Sequence, residues 1–287
     1  MPRISVIIPA HNEEHAIEPL LKEIWAAAGA DCEIIVVNDG STDATAELAA
    51  RNGARVISHA YRIGNGAAVK TGIRNAKGEV LVMLDADGQH KPSSIPEMAG
   101  LLDKYHMVVG ARKKWENAPL HRTVANIIYN SFASYLIERP VEDLTSGFRA
   151  IKAVIARKFV YLLPNTFSYP STLTMALSRA GYSIGYVPID LRLRKGKSKI
   201  HLISDGTRFL VIMMKIATLF SPLRIFIPVS LICFATGVGY AAYKILVLHV
   251  RYTILSVLLI MTAVMVFLMG LIAEQITQLR LERSESE

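Results

Sequence analysis

The sequence predicts an α/β domain on a parallel sheet, followed by two membrane-spanning helices. Three observations carry this reading. Unbroken apolar runs alternate with amphipathic stretches through the N-terminal part, the pattern of strands covered on both faces by helices. Polar and acidic residues follow directly on those runs, where open α/β sheets bind ligands. Two uncharged segments close the chain, Ile225–Tyr243 with 19 residues and Thr253–Ala273 with 21. Each is about long enough to cross a ~30 Å hydrocarbon core as a helix.

Ile4–Pro9 is the first strand. Asn12 stands where a helix cap would, ahead of Ala16, Ile17, Leu20, Leu21, Ile24 and Trp25 at helical spacing. Ile34–Val37 is a second strand ending in Asn38-Asp39-Gly40, after which Ser41 or Thr42 begins a helix through Ala50. Arg55–Ser58 is a third strand, Gly64-Asn65-Gly66 leads into a helix through Ala76, and Val80–Leu84 is the fourth strand. Beyond Pro92, Val108–Gly110 reads as a strand, Arg122–Ile137 as a helix, and Gly181–Pro188 contains another strand. Residues 192–200 are basic, polar and glycine-containing and read as a mobile loop. Over Ile203–Phe220, Ser204, Thr207, Arg208, Lys215 and Thr218 fall on one helical stripe, opposite Phe209, Leu210, Met213, Ile216, Ala217 and Phe220. This is an amphipathic helix, expected in the membrane interface or packed on the soluble domain. The expected organisation is therefore a domain over 1–200, an interfacial helix over 201–222, and a two-helix anchor with a short tail over 223–287. There is no internal repeat.

Composition agrees. The chain is 52% hydrophobic with mean hydropathy +0.33, and the surplus lies after Ser221. Two buried core helices would be the alternative, but both segments are apolar on every face. The net charge of +8 does not point to nucleic acid. The basic residues gather before the spans, at Arg192, Arg194, Lys195, Lys197, Lys199, Arg208, Lys215 and Arg224, where anionic head groups and phosphorylated substrates would meet them. That bias, with Arg280 and Arg283 after the second span, places both termini in the cytoplasm, although Lys244, His249 and Arg251 between the spans weigh against it. Cys32 and Cys233 sit in different segments, so no disulfide is expected and a reducing compartment fits. The N-terminus opens into a strand, and no signal peptide is expected.

The chemistry concentrates at Asp85-Ala86-Asp87, at the end of the fourth strand and before Gly88-Gln89-His90. Two carboxylates one residue apart form a hard oxygen site that suits Mg²⁺ or Mn²⁺, which can take a diphosphate as further ligands. An Asp-x-Asp alone is a weak signal, because most are surface turns. Here two other strand-end clusters, Pro9-Ala10-His11-Asn12-Glu13 and Asp39-Gly40-Ser41-Thr42-Asp43, should converge on the same sheet edge.

The segments IIPAHNEE, VVNDGSTD and LDADGQH resemble the nucleotide-sugar-binding half of family 2 glycosyltransferases. The later GAR, DLTSGFR and RKGKSK, followed by two spans, narrow the resemblance to the polyprenyl-phosphate glycosyltransferases, the group of dolichyl-phosphate mannose synthase and the undecaprenyl-phosphate glycosyltransferases. It covers essentially the whole chain. The processive cellulose and hyaluronan synthases are not resembled, since Gln-x-x-Arg-Trp is absent and the spans are too few.

The resemblance implies a GT-A, Rossmann-like nucleotide-sugar-binding domain, and a sugar passing from a nucleotide diphosphate to polyprenyl phosphate. A UDP-sugar is favoured and GDP-mannose is possible. It implies that Pro9, His11, Glu13 and Asp39 line the base and ribose, with tyrosine in many relatives where His11 stands. Asp39 could equally be a turn or cap residue. Asp85 would meet ribose or metal, Ala86 would line the nucleotide, and Asp87 and Gln89 would ligate the metal. Arg194, Ser198 and Lys199 would belong to a loop closing over the diphosphate or the acceptor phosphate, or simply to one binding anionic lipid. Gly64-Asn65-Gly66 is expected to shape the pocket floor. Some relatives form tetramers, and oligomeric state stays open here.

A phosphate monoester has a second pKa of about 6 and is largely a dianion at neutral pH. It needs positioning and charge screening more than a base. Arg112 and Arg122 are the candidates, by bidentate phosphate binding, or they are surface arginines. Asp143 is the family's candidate base, or it orients an arginine or the acceptor. Arg149 could be its buried ion-pair partner. Competing readings are a membrane-bound sugar-nucleotide sensor or scaffold, and a transferase to a non-phosphate lipid, which would need a base for its hydroxyl.

Overall fold

The computed structural model describes residues 3–29, 31–112, 120–165, 168–192, 214–215, 217–249 and 253–286, and the side chains of 120–125 and of most of the last few residues are outside the description. The chain divides into two compact units, Met1–Ile200 and His201–Glu287.

The first unit holds a seven-stranded sheet. Its strands are β1 (Ile4–Ala10), β2 (Cys32–Asn38), β3 (Arg55–Ser58), β4 (Val80–Met83), β5 (Met107–Arg112), β6 (Arg149–Lys152) and β7 (Ile184–Ile189), in the order β3-β2-β1-β4-β6-β5-β7. The helices are α1 (Glu14–Ala28), α2 (Thr45–Arg51), α3 (Asn65–Asn75), α4 (Ile95–Gly100), α5 (Leu120–Ile137), α6 (Ala153–Phe159) and α7 (Tyr169–Arg179). The central strands are buried on consecutive residues, Val6 to Ile8, Ile34 to Val37 and Leu81 to Leu84, so both faces are covered. From α1, Ile17, Leu20, Leu21 and Ile24 fill one side. Each such side chain contributes roughly 1.5–3 kcal/mol. From α3, Gly72 lies against Ile7 with no room for a Cβ, which lets this helix approach the sheet closely.

The sheet is mixed, not wholly parallel. β1, β2, β3 and β4 run parallel to one another, whereas β6 is antiparallel to both β4 and β5. β5 therefore points the same way as β4, and β7 pairs with it in parallel. Strand β6 was not anticipated, because four residues between a glycine-containing motif and a helix carry too little pattern. Its reversal matters for function. A strand running backwards has its lead-in, not its exit, at the edge where the other strands end.

Two helix starts also differ from expectation. Asn12 does not cap α1. It takes a left-handed conformation, φ 56°, and its Oδ1 accepts from Thr42 N–H at 2.9 Å. Helix α2 begins at Thr45, not at Ser41 or Thr42. The segment before it is tied to the β1–α1 loop by Glu13 N to Thr45 Oγ1, 2.9 Å, and Glu14 N to Asp43 Oδ2, 3.2 Å. The Asn12 and Thr45 side chains thus serve a neighbouring loop, and Asp43 serves both, its Oδ1 accepting from Thr45 N–H at the start of α2 at 3.0 Å.

The second unit holds α8 (Leu223–Leu246) and α9 (Ile254–Ser286). Leu223–Leu246 and Ile254–Leu279 are long and apolar enough to cross a membrane. Large apolar side chains such as Leu231, Ile232, Leu258 and Ile272 face outward, while Ser230 and Ala263 are buried. A Cβ on Gly270 would lie 2.6 Å from Phe226 Cβ, so the helices touch where a glycine permits it. Small residues inside and large apolar ones outside suit helix packing in lipid. The amphipathic helix expected over 203–220 lies mostly outside the described residues.

Candidate active site

The order β2-β1-β4 puts the C-terminal ends of these strands side by side. The clusters after Ala10, Asn38 and Leu84 thus share one edge, as the spacing predicted. Pro9 sits where it can: the β1–β4 pairing ends at Ile7 and Met83, with Leu84 N–H reaching Ile7 O at 3.1 Å. Beyond that point a missing N–H costs no ladder bond.

Asp39 is 3% exposed. Its Oδ1 accepts from Ile63 N–H at 2.9 Å and lies 2.8 Å from His59 Nδ1, and its Oδ2 accepts from Gly64 N–H at 2.8 Å. These bonds hold its carboxyl below the usual range against the upward push of burial. It is neither a turn nor a helix-cap aspartate; it fixes the loop between β3 and α3. His11 stands beside it, Nδ1 3.0 Å from Asp39 O. Glu13 ends the loop between β1 and α1, its N–H donating to Thr45 Oγ1.

Asp85, Ala86 and Asp87 leave β4 on the same edge. Ala86 is buried, and Asp85, Asp87 and Gln89 are partly exposed. Gln89 N–H donates to Asp87 Oδ1 at 3.1 Å, with Gly88 at φ +68° completing the turn. Burial pushes the Asp85 carboxyl up; a hydrogen bond from Asn65 and the charges of Arg112 and Arg149 pull it back. Two carboxylates and an amide within five residues at one strand end offer the oxygen donors that a hard divalent cation takes. Among the described residues no three His, Cys, Asp or Glu side chains gather as a metal site, so a cation here would draw its remaining ligands from substrate oxygens or water.

The reversed strand completes the edge. Its lead-in, residues 143–148, enters between β4 and β5. Gly147 lies directly against the Asp85 carboxylate. Asp143 lies against Arg112, the last residue of β5: Nε to Oδ2 and Nη2 to Oδ1 are both 2.6 Å, and Arg112 N–H also reaches Oδ2 at 3.2 Å. Thr145 and Ser146 N–H donate to Oδ1 at 3.2 and 3.1 Å. Against burial, these bonds and the Arg112 charge hold the Asp143 carboxyl below the usual range.

Arg149 is not the ion-pair partner of Asp143. It is fully buried and donates to Ser146 O at 2.7 Å, Leu144 O at 3.0 Å and Thr174 Oγ1 at 2.6 Å. Its fork holds the backbone just after Asp143. Arg122 lies in the first turn of α5, with its side chain outside the description; Arg194, Ser198 and Lys199 lie outside the described residues altogether.

Four contributors were not singled out beforehand. Asn65 was legible only as part of a Gly-x-Gly, and Gly147 only as part of DLTSGFR. His59 carries no local signal. His90 is 5% exposed, its ring 5.3 Å from that of Phe148, and its buried Nδ1 has no hydrogen-bond partner among the described residues.

The comparisons with known proteins agree with this geometry. A family model described as Glycosyl transferase family 2 matches residues 5–161, and one described as GtrB C-terminal hairpin matches 221–279. A dolichyl-phosphate hexose transferase of Haloferax volcanii is 31% identical over 206 residues, 71% of this chain and 89% of that protein. An undecaprenyl-phosphate 4-deoxy-4-formamido-L-arabinose transferase of Edwardsiella ictaluri is 29% identical over 183 residues, 58% of this chain and 56% of the relative. Among solved structures, glucosyl-3-phosphoglycerate synthase from Mycobacterium tuberculosis, in complex with Mn²⁺ and UDP-glucose, superposes with TM-score 0.61 at 23% identity, over 75% of this chain and 78% of that one. At that identity the likeness is one of fold.

Proposed function

The chain belongs to glycosyltransferase family 2, and from that premise we propose that it transfers a sugar from a nucleotide diphosphate to polyprenyl phosphate. The observation that carries the acceptor class is the state of Asp143. Its carboxylate is committed to Arg112 and to the backbone of 145–146. A hydroxyl acceptor would need a base to take its proton. A phosphate dianion needs none.

In this reading Pro9, His11, Glu13, Asp39 and Ala86 form the base and ribose end of the donor site, and Arg194 serves its diphosphate. Asp85, Asp87 and Gln89 would hold Mg²⁺ or Mn²⁺. When bound, that ion supplies Lewis-acid neutralisation of the leaving diphosphate. Arg112, steered by Asp143, and Arg122 position the acceptor phosphate, together with Ser198 and Lys199. A phosphate oxygen attacks the anomeric carbon in line as the bond to the nucleoside diphosphate breaks, with inversion. No proton has to move. UDP is the favoured nucleotide.

The two apolar helices anchor the chain in the cytoplasmic membrane, with the amphipathic segment over 201–222 in the interface and both termini cytoplasmic.

The test is transfer by purified protein with undecaprenyl phosphate or dolichyl phosphate, Mn²⁺ or Mg²⁺, and a panel of UDP- and GDP-sugars, read by mass of the lipid product. A metal-dependent lipid-phosphate sugar is expected. Transfer to diacylglycerol in place of polyprenyl phosphate would overturn the acceptor assignment.

A further inference from the structure

We propose that Tyr61 is the stacking platform for the base of the nucleoside diphosphate, an inference that rests on the donor reading above. Tyr61 is 71% exposed. Large exposed aromatics are commonplace on mobile loops, but this loop is held on every side. Asp39 takes Ile63 N–H and Gly64 N–H at 2.9 and 2.8 Å. His59 bridges Asp39 Oδ1 at 2.8 Å to Thr71 Oγ1 of α3 at 2.9 Å. His59 N–H reaches Asn38 O at 2.9 Å. Gly40, at φ +68°, lies under the chain so closely that a Cβ would fall 2.6 Å from Arg62 N and 2.7 Å from Tyr61 C. The backbone on either side of Tyr61 is therefore held, and its ring stands in the open.

Its place is also the right one. The backbone at Tyr61 lies against Gly40, and His11 Nδ1 lies 3.0 Å from Asp39 O, so both residues border positions 39–40 at the C-terminal edge of β2 and β1. Asp39 is almost wholly buried and both its oxygens already serve the loop. To the donor residues already placed at this corner, the ring of Tyr61 adds an exposed aromatic face. An aromatic face attracts any base, and the exposed Arg62 beside it suits the same anionic ligand.

The experiment is calorimetric titration of the full chain in detergent with UDP, GDP and inorganic pyrophosphate, each with Mn²⁺. For Tyr61→Ala, affinity for the nucleotide that the unaltered protein prefers should fall by about tenfold. Pyrophosphate affinity should be unchanged, and Tyr61→Phe should bind as the unaltered protein does. Nucleotide affinity unchanged in Tyr61→Ala, or pyrophosphate affinity lost in step with it, would overturn the proposal. Binding of pyrophosphate but of neither nucleotide by the unaltered protein would remove the donor reading and this inference together.

Discussion

Arg112 and Asp143 meet through two hydrogen bonds of 2.6 Å each, one from Nε and one from Nη2. The pair spans adjacent strands: Arg112 ends β5, and Asp143 lies in the lead-in to β6. A guanidinium held as a planar fork has its orientation set by the carboxylate, and Nη2 also donates to Thr145 Oγ1. The burial of both side chains, 20% and 6% exposed, keeps the pair from being screened as a surface pair would be.

Asp143→Asn should therefore act by releasing Arg112. Acceptor KM should rise and kcat fall, with a loss in kcat/KM on the order of 10²-fold, the usual cost of a misplaced positioning group. The Asp143 carboxyl titrates below the ordinary carboxylate range. Its contribution is thus complete above that range and is lost only as pH falls through the depressed value. The pH–rate profile of the Asn variant near neutrality should keep the shape of the unaltered protein at a lower level. Disappearance of an acid limb in the variant would identify Asp143 as a base.

Gly147→Ala tests the other crossing of the same segment. The added methyl would be driven into the Asp85 carboxylate, and one of the two must move. Overpacking of this kind costs typically 1–3 kcal/mol. Because the displaced group is a proposed metal ligand, Mn²⁺-dependent nucleotide binding should weaken by at least tenfold while the protein stays folded. Calorimetric titration with Mn²⁺ and UDP checks it, and unchanged affinity would separate Asp85 from the metal.

Most of the proposed donor half was legible from sequence because its strands are continuous apolar runs and each polar cluster is local. Pro9, Asp39, Asp85 and Asp87 all follow from strand ends that a parallel order places side by side. The acceptor half was legible as residues and not as geometry. Arg112 and Asp143 are 31 positions apart, and what joins them is β6, a four-residue antiparallel strand with no periodic signature. The same reversal explains the misplaced partner of Arg149. The residue is near Asp143 in sequence, but as the first residue of β6 it lies between Met83 and Val109, inside the sheet.

His90 should make the protein acid-sensitive. Burial lowers its pKa from 6.5 to about 4. Between these values the unfolded chain binds a proton that the folded chain refuses, so stability is full above pH 6.5 and falls as pH drops toward 4. The loss from pH 7 to pH 5 should be roughly 2 kcal/mol. Thermal unfolding in detergent with EDTA, at both values, reads it directly. His90→Gln should remove that part of the pH dependence. A variant as acid-sensitive as the unaltered protein would place the titrating group elsewhere.

Arg149 is the largest side chain in the protein with no exposed surface, and among the described residues no carboxylate hydrogen-bonds it. Its partners are two carbonyls and a hydroxyl: Leu144 O, Ser146 O and Thr174 Oγ1. The fork is what satisfies them, since three divergent acceptors need three donors in a fixed plane. Arg149→Met would leave two buried carbonyls without donors, at about 1–3 kcal/mol each. Arg149→Lys keeps the charge but offers a compact ammonium that cannot reach all three, and it retains the full desolvation cost of a buried cation. Both variants should be destabilised, Lys no less than Met, with thermal midpoints in detergent as the measure. A Lys variant as stable as the unaltered protein would show that the charge, and not the fork, is what this position requires.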